Sequence, residues 1–177
     1  FRTKRTPFSG GSGILPAGLL SPRGVYWFGV ACMAAMVPIG LYFLSIYGLG
    51  LLPIGILGML MIYLYTTHIT RLPMCEIAPG LGFGPFMVLG TYFTQTGAYS
   101  PGAVAASIVP GFLVANLLLL NEFPDVEADL TASRRHTPIT FGRATSAKLY
   151  SLLIAGSYAW LVISVALKLL PLGALLG

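Results

Sequence analysis

Two long stretches without a charged side chain constrain this chain more than any other feature. No Asp, Glu, Lys or Arg occurs between Arg23 and Arg71, and none between Glu76 and Glu122. Each gap holds about two helical spans at roughly 20 residues per crossing of a bilayer. Composition agrees: 8% of residues are charged and 56% hydrophobic, with a mean hydropathy of +0.84, against roughly 25% charged in an ordinary soluble domain. So few charges cannot solvate a globular surface, and the lipid bilayer becomes the expected partner. A buried soluble helical core is the competing reading of the apolar runs, but it leaves the pattern of the connections unexplained.

Five apolar stretches are long enough to span, at about 24–47, 50–67, 78–97, 102–121 and 145–168, within a single membrane domain over residues 1–177. Their connections alternate. Residues 1–23, 68–77 and 122–144 carry charge, whereas the Tyr47 to Gly50 and Thr96 to Pro101 connections carry none. Five crossings then put nine of the ten Lys and Arg residues and all five acidic residues on one face, with Lys168 near the other. By the positive-inside tendency the charged face is cytoplasmic. The runs are continuous, without the period-two alternation of a membrane barrel, so the expected fold is all-α, a multi-spanning helical bundle. The formal charge of +5 is juxtamembrane and forms no basic helix, which argues against a nucleic-acid partner. The sequence starts without Met in a polar, basic stretch and stops just after an apolar run, so a fragment of a longer chain is expected.

Within the apolar stretches Gly55, Gly58, Gly80, Gly82, Gly84 and Gly90 recur. They permit close helix packing, and together with Pro79 and Pro85 they offer points where a helix can break. Cys32 and Cys75 lie far apart, with no CxxC or histidine at metal spacing, and read as structural. Arg71 and Glu76 share the charged face and either pair with each other, the simpler option, or border a substrate pocket there.

Chemistry concentrates at Asn121, Asp125 and Asp129. Residues four apart project from one helix face, a turn above one another. Two carboxylates and an amide oxygen so placed suit a hard cation such as Mg²⁺, which shares its remaining positions with water and phosphate. Glu127 points elsewhere. Arg134 and Arg135 follow within two turns and can bind phosphate oxygens. A solvated polar loop on the charged face is the plain alternative, and spacing alone does not decide between them.

Asn121-x-x-x-Asp125-x-x-x-Asp129, followed by Arg134-Arg135 and a further span, resembles the second aspartate-rich motif of the UbiA-type intramembrane prenyltransferases. Arg5-Thr-Pro-Phe-Ser-Gly-Gly-Ser-Gly-Ile-Leu-Pro16 resembles the loop after the first such motif in the 1,4-dihydroxy-2-naphthoate polyprenyltransferase branch. The segments from Glu76 to Pro85 and from Leu89 to Gly97 resemble the fifth-span region of that branch. The matches cover most of residues 5–150, in the expected order. The resemblance implies that the chain holds about five spans, the third to seventh, of a nine-span fold, with the first aspartate-rich motif upstream of Phe1. Pro73 and Cys75 stand where the family usually has glycine, and no role is carried over to Tyr65 or His68.

What the resemblance implies is an Mg²⁺-dependent enzyme moving a polyprenyl group from its diphosphate to an aromatic acceptor, inactive as this piece alone. Asp125 and Asp129 become metal ligands and catalytic residues, with Asn121 supporting them. Arg134 and Arg135 become diphosphate contacts, joined by Arg5 and Lys4. Phe83, Tyr92 and Phe93 are candidates to line the apolar tunnel for the isoprenoid tail, with packing against neighbouring helices as the alternative. The Ser9 to Gly13 run offers backbone N–H groups to phosphate or serves only as a turn. The matches at Phe8 to Ser12 and Gly90 to Gly97 favour dihydroxynaphthoate as acceptor, ahead of 4-hydroxybenzoate, a chlorin or a glycerol lipid. A transporter would place an ionisable group inside a span, and the first four stretches have none. A CDP-alcohol phosphotransferase would need a D-x-x-D-G-x-x-A-R run, which is absent. A non-catalytic membrane subunit is the remaining alternative.

Overall fold

In a computed structural model of the chain, residues 12–132 and 134–176 are described, apart from the side chain of Thr66, and these residues form helices and turns without a strand. Helices lie over all five apolar stretches. They are α1 (Pro22–Tyr47), α2 (Leu52–Thr67), the broken pair α3 (Ile77–Leu81) and α4 (Met87–Thr96), α5 (Pro101–Thr131) and α7 (Arg143–Ala166), with a short α6 (Thr137–Phe141) before the last. Three of them, α1, α5 and α7, are long and apolar enough to cross a membrane as single helices.

Local chemistry explains where these helices start and stop. Ser21 and Ser100 each accept a hydrogen bond from the backbone N–H three residues on, at 3.1 Å, and Pro22 and Pro101 follow at the first helical position. The serine oxygen satisfies one orphan donor, and the proline has no N–H to leave unsatisfied. Gly97 ends α4 in the left-handed region, φ 74°, where a side chain would be strained.

The core sits where α5 meets α7 and the α3–α4 break. Trp160 on α7 donates its indole N–H to the Ala105 carbonyl of α5 at 2.9 Å. On the other flank, Gly80 and Gly84 lie against Gly111 of α5. A Cβ on Gly84 would stand 2.6 Å from Gly111 Cα, and one on Gly80 would stand 2.7 Å from Gly111 O. Both glycines are therefore required for backbone approach. Residues Gly82–Phe86 wind as a π-helical turn around Pro85, and proline at this point explains the break, since it has no N–H to continue the ladder. Close packing and interruption thus occur in the same segment. Gly55 and Gly58, by contrast, face open space, and no residue of α1 is buried.

One feature of α5 sets the position of the polar residues. At 31 residues it is about 46 Å long, against roughly 30 Å of hydrocarbon in a bilayer. The helix runs ten residues past the apolar stretch, through Pro124, so Asn121 at the end of that stretch and Asp125 and Asp129 on its extension share one continuous helix and the four-residue spacing operates as geometry.

Candidate active site

At the charged end of α5 a small cavity of about 70 Å³ is lined by Asn121, Glu122, Asp125 and Asp129 of α5, by Tyr65 of α2, and by Thr70, Cys75, Arg134 and His136 from the two connections. Leu118 of α5 also lines it. Asn121, Asp125 and Asp129 therefore face one space, while Glu127 is exposed and outside it. Glu122 joins them because positions 122, 125 and 129 are three and four residues apart, which is one helix face.

Two hydrogen bonds donated by backbone N–H groups join the two connections that line this cavity. The Arg135 N–H donates to the Thr70 carbonyl at 3.2 Å, and the Met74 N–H donates to Thr137 Oγ1 at 3.1 Å. Met74 itself is left-handed, φ 63°, an uncommon state for a side-chain-bearing residue. It turns the chain so that Cys75 and Glu76 are buried, at 4% exposure each.

The charged groups divide into two sets. Asp129 Oδ2 lies 3.3 Å from Arg134 Nη1 and 3.4 Å from His136 Nε2. Arg134 is half exposed, so its pairing is cheap to break in water. Behind it, the other ring nitrogen of His136 faces Glu122 Oε2 at 3.7 Å, and Cys75 Sγ donates to Glu122 Oε1 at 3.4 Å. Ligand atoms of Cys75, Glu76 and Glu122 all lie within 4.8 Å of one another. Burial pushes the Cys75 thiol well above its usual range, and the adjacent carboxylates of Glu122 and Glu76 add to the shift. Cys75 is thus a protonated donor, and a nucleophilic thiolate is disfavoured. Alkylation of Cys75 by a maleimide at pH 8 is expected to be at least tenfold slower than that of an unperturbed thiol. Mass spectrometry of labelled Cys32→Ala protein reads the rate, and labelling as fast as a free thiol would contradict the buried hydrogen bond.

The pairing of Arg71 with Glu76 is not formed. Among the described residues no ion pair joins them, and Glu76 turns inward toward Glu122 with its Oε1 unpartnered. The left-handed turn at Met74 separates the two: it sends residue 76 into the bundle and leaves Arg71 at the surface.

The fit to a hard cation rests on Asp125. Its Oδ1 is buried and has no hydrogen-bond partner, and an orphaned carboxylate oxygen of this kind is costly unless something compensates it. With Asp129 Oδ1 outside the Arg134 and His136 contacts and Asn121 also lining the cavity, carboxylate and amide oxygens of the kind a divalent hard cation takes are present together. Arg135 lies at the surface, outside the cavity lining. Arg5 and Lys4, together with the Ser9 to Gly11 part of the glycine-rich run, fall outside the described residues.

An apolar groove of about 560 Å³ adjoins the cavity and shares Tyr65 and Leu118 with it. Phe83, Phe86, Met61, Ile62 and Met87 line the groove. Phe83 is therefore placed along it, whereas Tyr92 and Phe93 are not. The Phe93 ring packs on Gly50 and lies 4.7 Å from the Tyr99 ring, whose hydroxyl donates to the Gly50 carbonyl at 2.8 Å. That cluster joins the opposite, uncharged ends of the helices.

A carboxylate pocket opening beside an apolar groove within a helical bundle fits the comparison with known families, for the sequence model of the UbiA prenyltransferase family matches residues 2–177. The chain belongs to that family. As a UbiA-family chain with three helices able to cross a bilayer, it is an integral membrane protein. It is 28% identical over 146 residues to the 1,4-dihydroxy-2-naphthoate octaprenyltransferase of Bacillus subtilis (strain 168), covering 81% of this chain and 47% of that relative. The chain thus spans about half the length of the curated relative it matches. No solved structure matches it.

Sequence reasoning missed Tyr65, Glu122 and His136. Glu122 had a signal, its three-residue offset from Asp125. His136 had none, because a loop and a helix of five residues bring it back over α5.

Proposed function

We propose that this chain carries one half of the diphosphate site of a membrane prenyltransferase, moving a polyprenyl group from its diphosphate to an aromatic acceptor, 1,4-dihydroxy-2-naphthoate. The observation that carries this reading is the unpartnered, buried Oδ1 of Asp125 in a pocket that adjoins an apolar groove through Tyr65 and Leu118. The 28% identity to a dihydroxynaphthoate octaprenyltransferase supports the acceptor. Asp125 and Asp129 would hold Mg²⁺, with Asn121 supporting them, on the cytoplasmic face of a prokaryotic cell membrane. When bound, the cation neutralises charge on diphosphate oxygens.

The chain's own residues account for the rest. Arg134 is exposed enough to leave Asp129 and meet a phosphate oxygen, so it counters negative charge as the allylic carbon–oxygen bond breaks and diphosphate departs. The groove from Phe83 to Tyr65 takes the isoprenoid chain and keeps water from the electron-deficient allylic carbon, which water would otherwise capture. Membranes bearing the full-length protein are expected to prenylate dihydroxynaphthoate when given a polyprenyl diphosphate and Mg²⁺, and to lose at least 90% of turnover in excess EDTA, on the order of the tenfold that 1.4 kcal/mol of lost stabilisation represents. Absence of transfer with Mg²⁺, or turnover indifferent to EDTA, counts against the reading.

A further inference from the structure

His136 is 2% exposed, and both ring nitrogens are buried without a hydrogen bond of good geometry. Each nevertheless faces a carboxylate: Nε2 is 3.4 Å from Asp129 Oδ2, and Nδ1 is 3.7 Å from Glu122 Oε2. Glu122 is held in turn by Cys75 at 3.4 Å. The contacts run in one line, from Cys75 through Glu122 and His136 to Asp129.

The backbone gives the ring little freedom. The His136 carbonyl accepts from the N–H groups of Ile139 and Thr140 at 3.1 and 3.0 Å, which fixes the residue at the start of α6. Thr140 Oγ1 also donates to the Arg135 carbonyl at 2.9 Å. Arg134 differs in every respect that matters. It contacts the same Asp129 oxygen at 3.3 Å, but its side chain is 45% exposed. If Arg134 swings to a phosphate oxygen, His136 is the partner that stays on Asp129.

Both contacts fall on Oδ2, which leaves Oδ1 of Asp129 free for a ligand in the cavity. A buried histidine between a ligating carboxylate and a second carboxylate is the arrangement by which outer groups fix the orientation of a metal ligand. We infer that His136 is a positioning residue, clamping the Asp129 carboxylate from behind through a Glu122–His136 pair so that Oδ1 is presented to a divalent cation. The inference rests on the cation-binding reading of Asp125 and Asp129 given above.

Mn²⁺ titration of the purified full-length protein in detergent micelles, read by electron paramagnetic resonance, tests it without requiring turnover. His136→Ala is expected to weaken Mn²⁺ binding roughly tenfold or more, the range seen on loss of an outer-shell partner. His136→Gln keeps an N–H donor within reach of Asp129 and is expected to restore most of the affinity. Thr137→Ala removes the bond to the Met74 N–H and so loosens the same loop, but is expected to leave Mn²⁺ affinity unchanged. Two results would overturn the inference: unaltered affinity in His136→Ala while Asp125→Ala abolishes binding, or an equal loss in Thr137→Ala, which would mark the effect as loop stability alone. If the wild-type protein binds no Mn²⁺, or binds it as well with Asp125→Ala, the failure lies with the cation reading itself, and the clamp falls with it.

Discussion

Asp125→Ala in the full-length protein is expected to lower prenyl transfer by roughly 100-fold or more, the scale of losing one preorganised group that stabilises developing charge. The reason is local. Asp125 Oδ1 is a buried oxygen with no hydrogen-bond partner, in a pocket where Asp129 already meets Arg134 and His136, so its charge is left for a ligand to compensate. Folding should survive the change. The carboxylate makes no hydrogen bond that the fold depends on, and alanine suits a helix better than aspartate does. Expression and thermal stability in detergent close to wild type, together with lost transfer in membranes, are the expected pair of results. Turnover within a few-fold of wild type would refute the metal role, whereas loss of the folded protein would show that Asp125 is structural. Glu127→Ala, two residues along and on the exposed side of the same helix, serves as the control and should leave transfer unaffected.

Gly84→Leu carries the largest expected effect on stability. A Cβ at Gly84 would meet Gly111 Cα at 2.6 Å, Gly111 N at 2.7 Å and the Ser107 carbonyl at 2.7 Å. All three are backbone atoms of α5, so no side-chain rotation relieves the clash, and the π-helical turn must move off the helix that bears the carboxylates. Overpacking a core ordinarily costs about 1–3 kcal/mol; with backbone on both sides, the upper end of that range or beyond is expected. Thermal unfolding in detergent should drop by many degrees, or the protein should fail to accumulate. Gly82→Ala, two residues away with no atom within 4 Å, should be close to neutral. Equal tolerance of both substitutions would mean that the π-helical turn is not packed backbone to backbone on α5.

Glycines of the same segment thus differ sharply, and sequence gives no means of telling them apart. Gly80, Gly82 and Gly84 all read as packing residues or break points, yet only Gly80 and Gly84 face Gly111 because the π-helical turn rotates Gly82 away. A similar limit applies to the acidic residues. Asn121, Asp125 and Asp129 were legible because one regular helix carries them, and helical periodicity converts spacing into a shared face. Arg71 and Glu76 looked like a pair because both lie on one connection, but the backbone conformation at Met74 sends Glu76 into the bundle. Phe93 read as a tunnel residue and instead packs on Gly50, since the rotation of α4 depends on its contacts with the helices around it.

By itself the sequence determined that the chain lives in a membrane as helices, with a carboxylate pair in register on one helix. Those conclusions depend on hydropathy and on the 3.6-residue repeat, which act over neighbouring residues and need no partner. Tertiary structure alone decided which groups stand behind that pair: the half-exposed Arg134, the sealed His136, and Glu122 held by a thiol from a residue 47 positions earlier. Such contacts form where two loops close over the end of α5, and loop closure is governed by backbone turns and packing that no local pattern encodes.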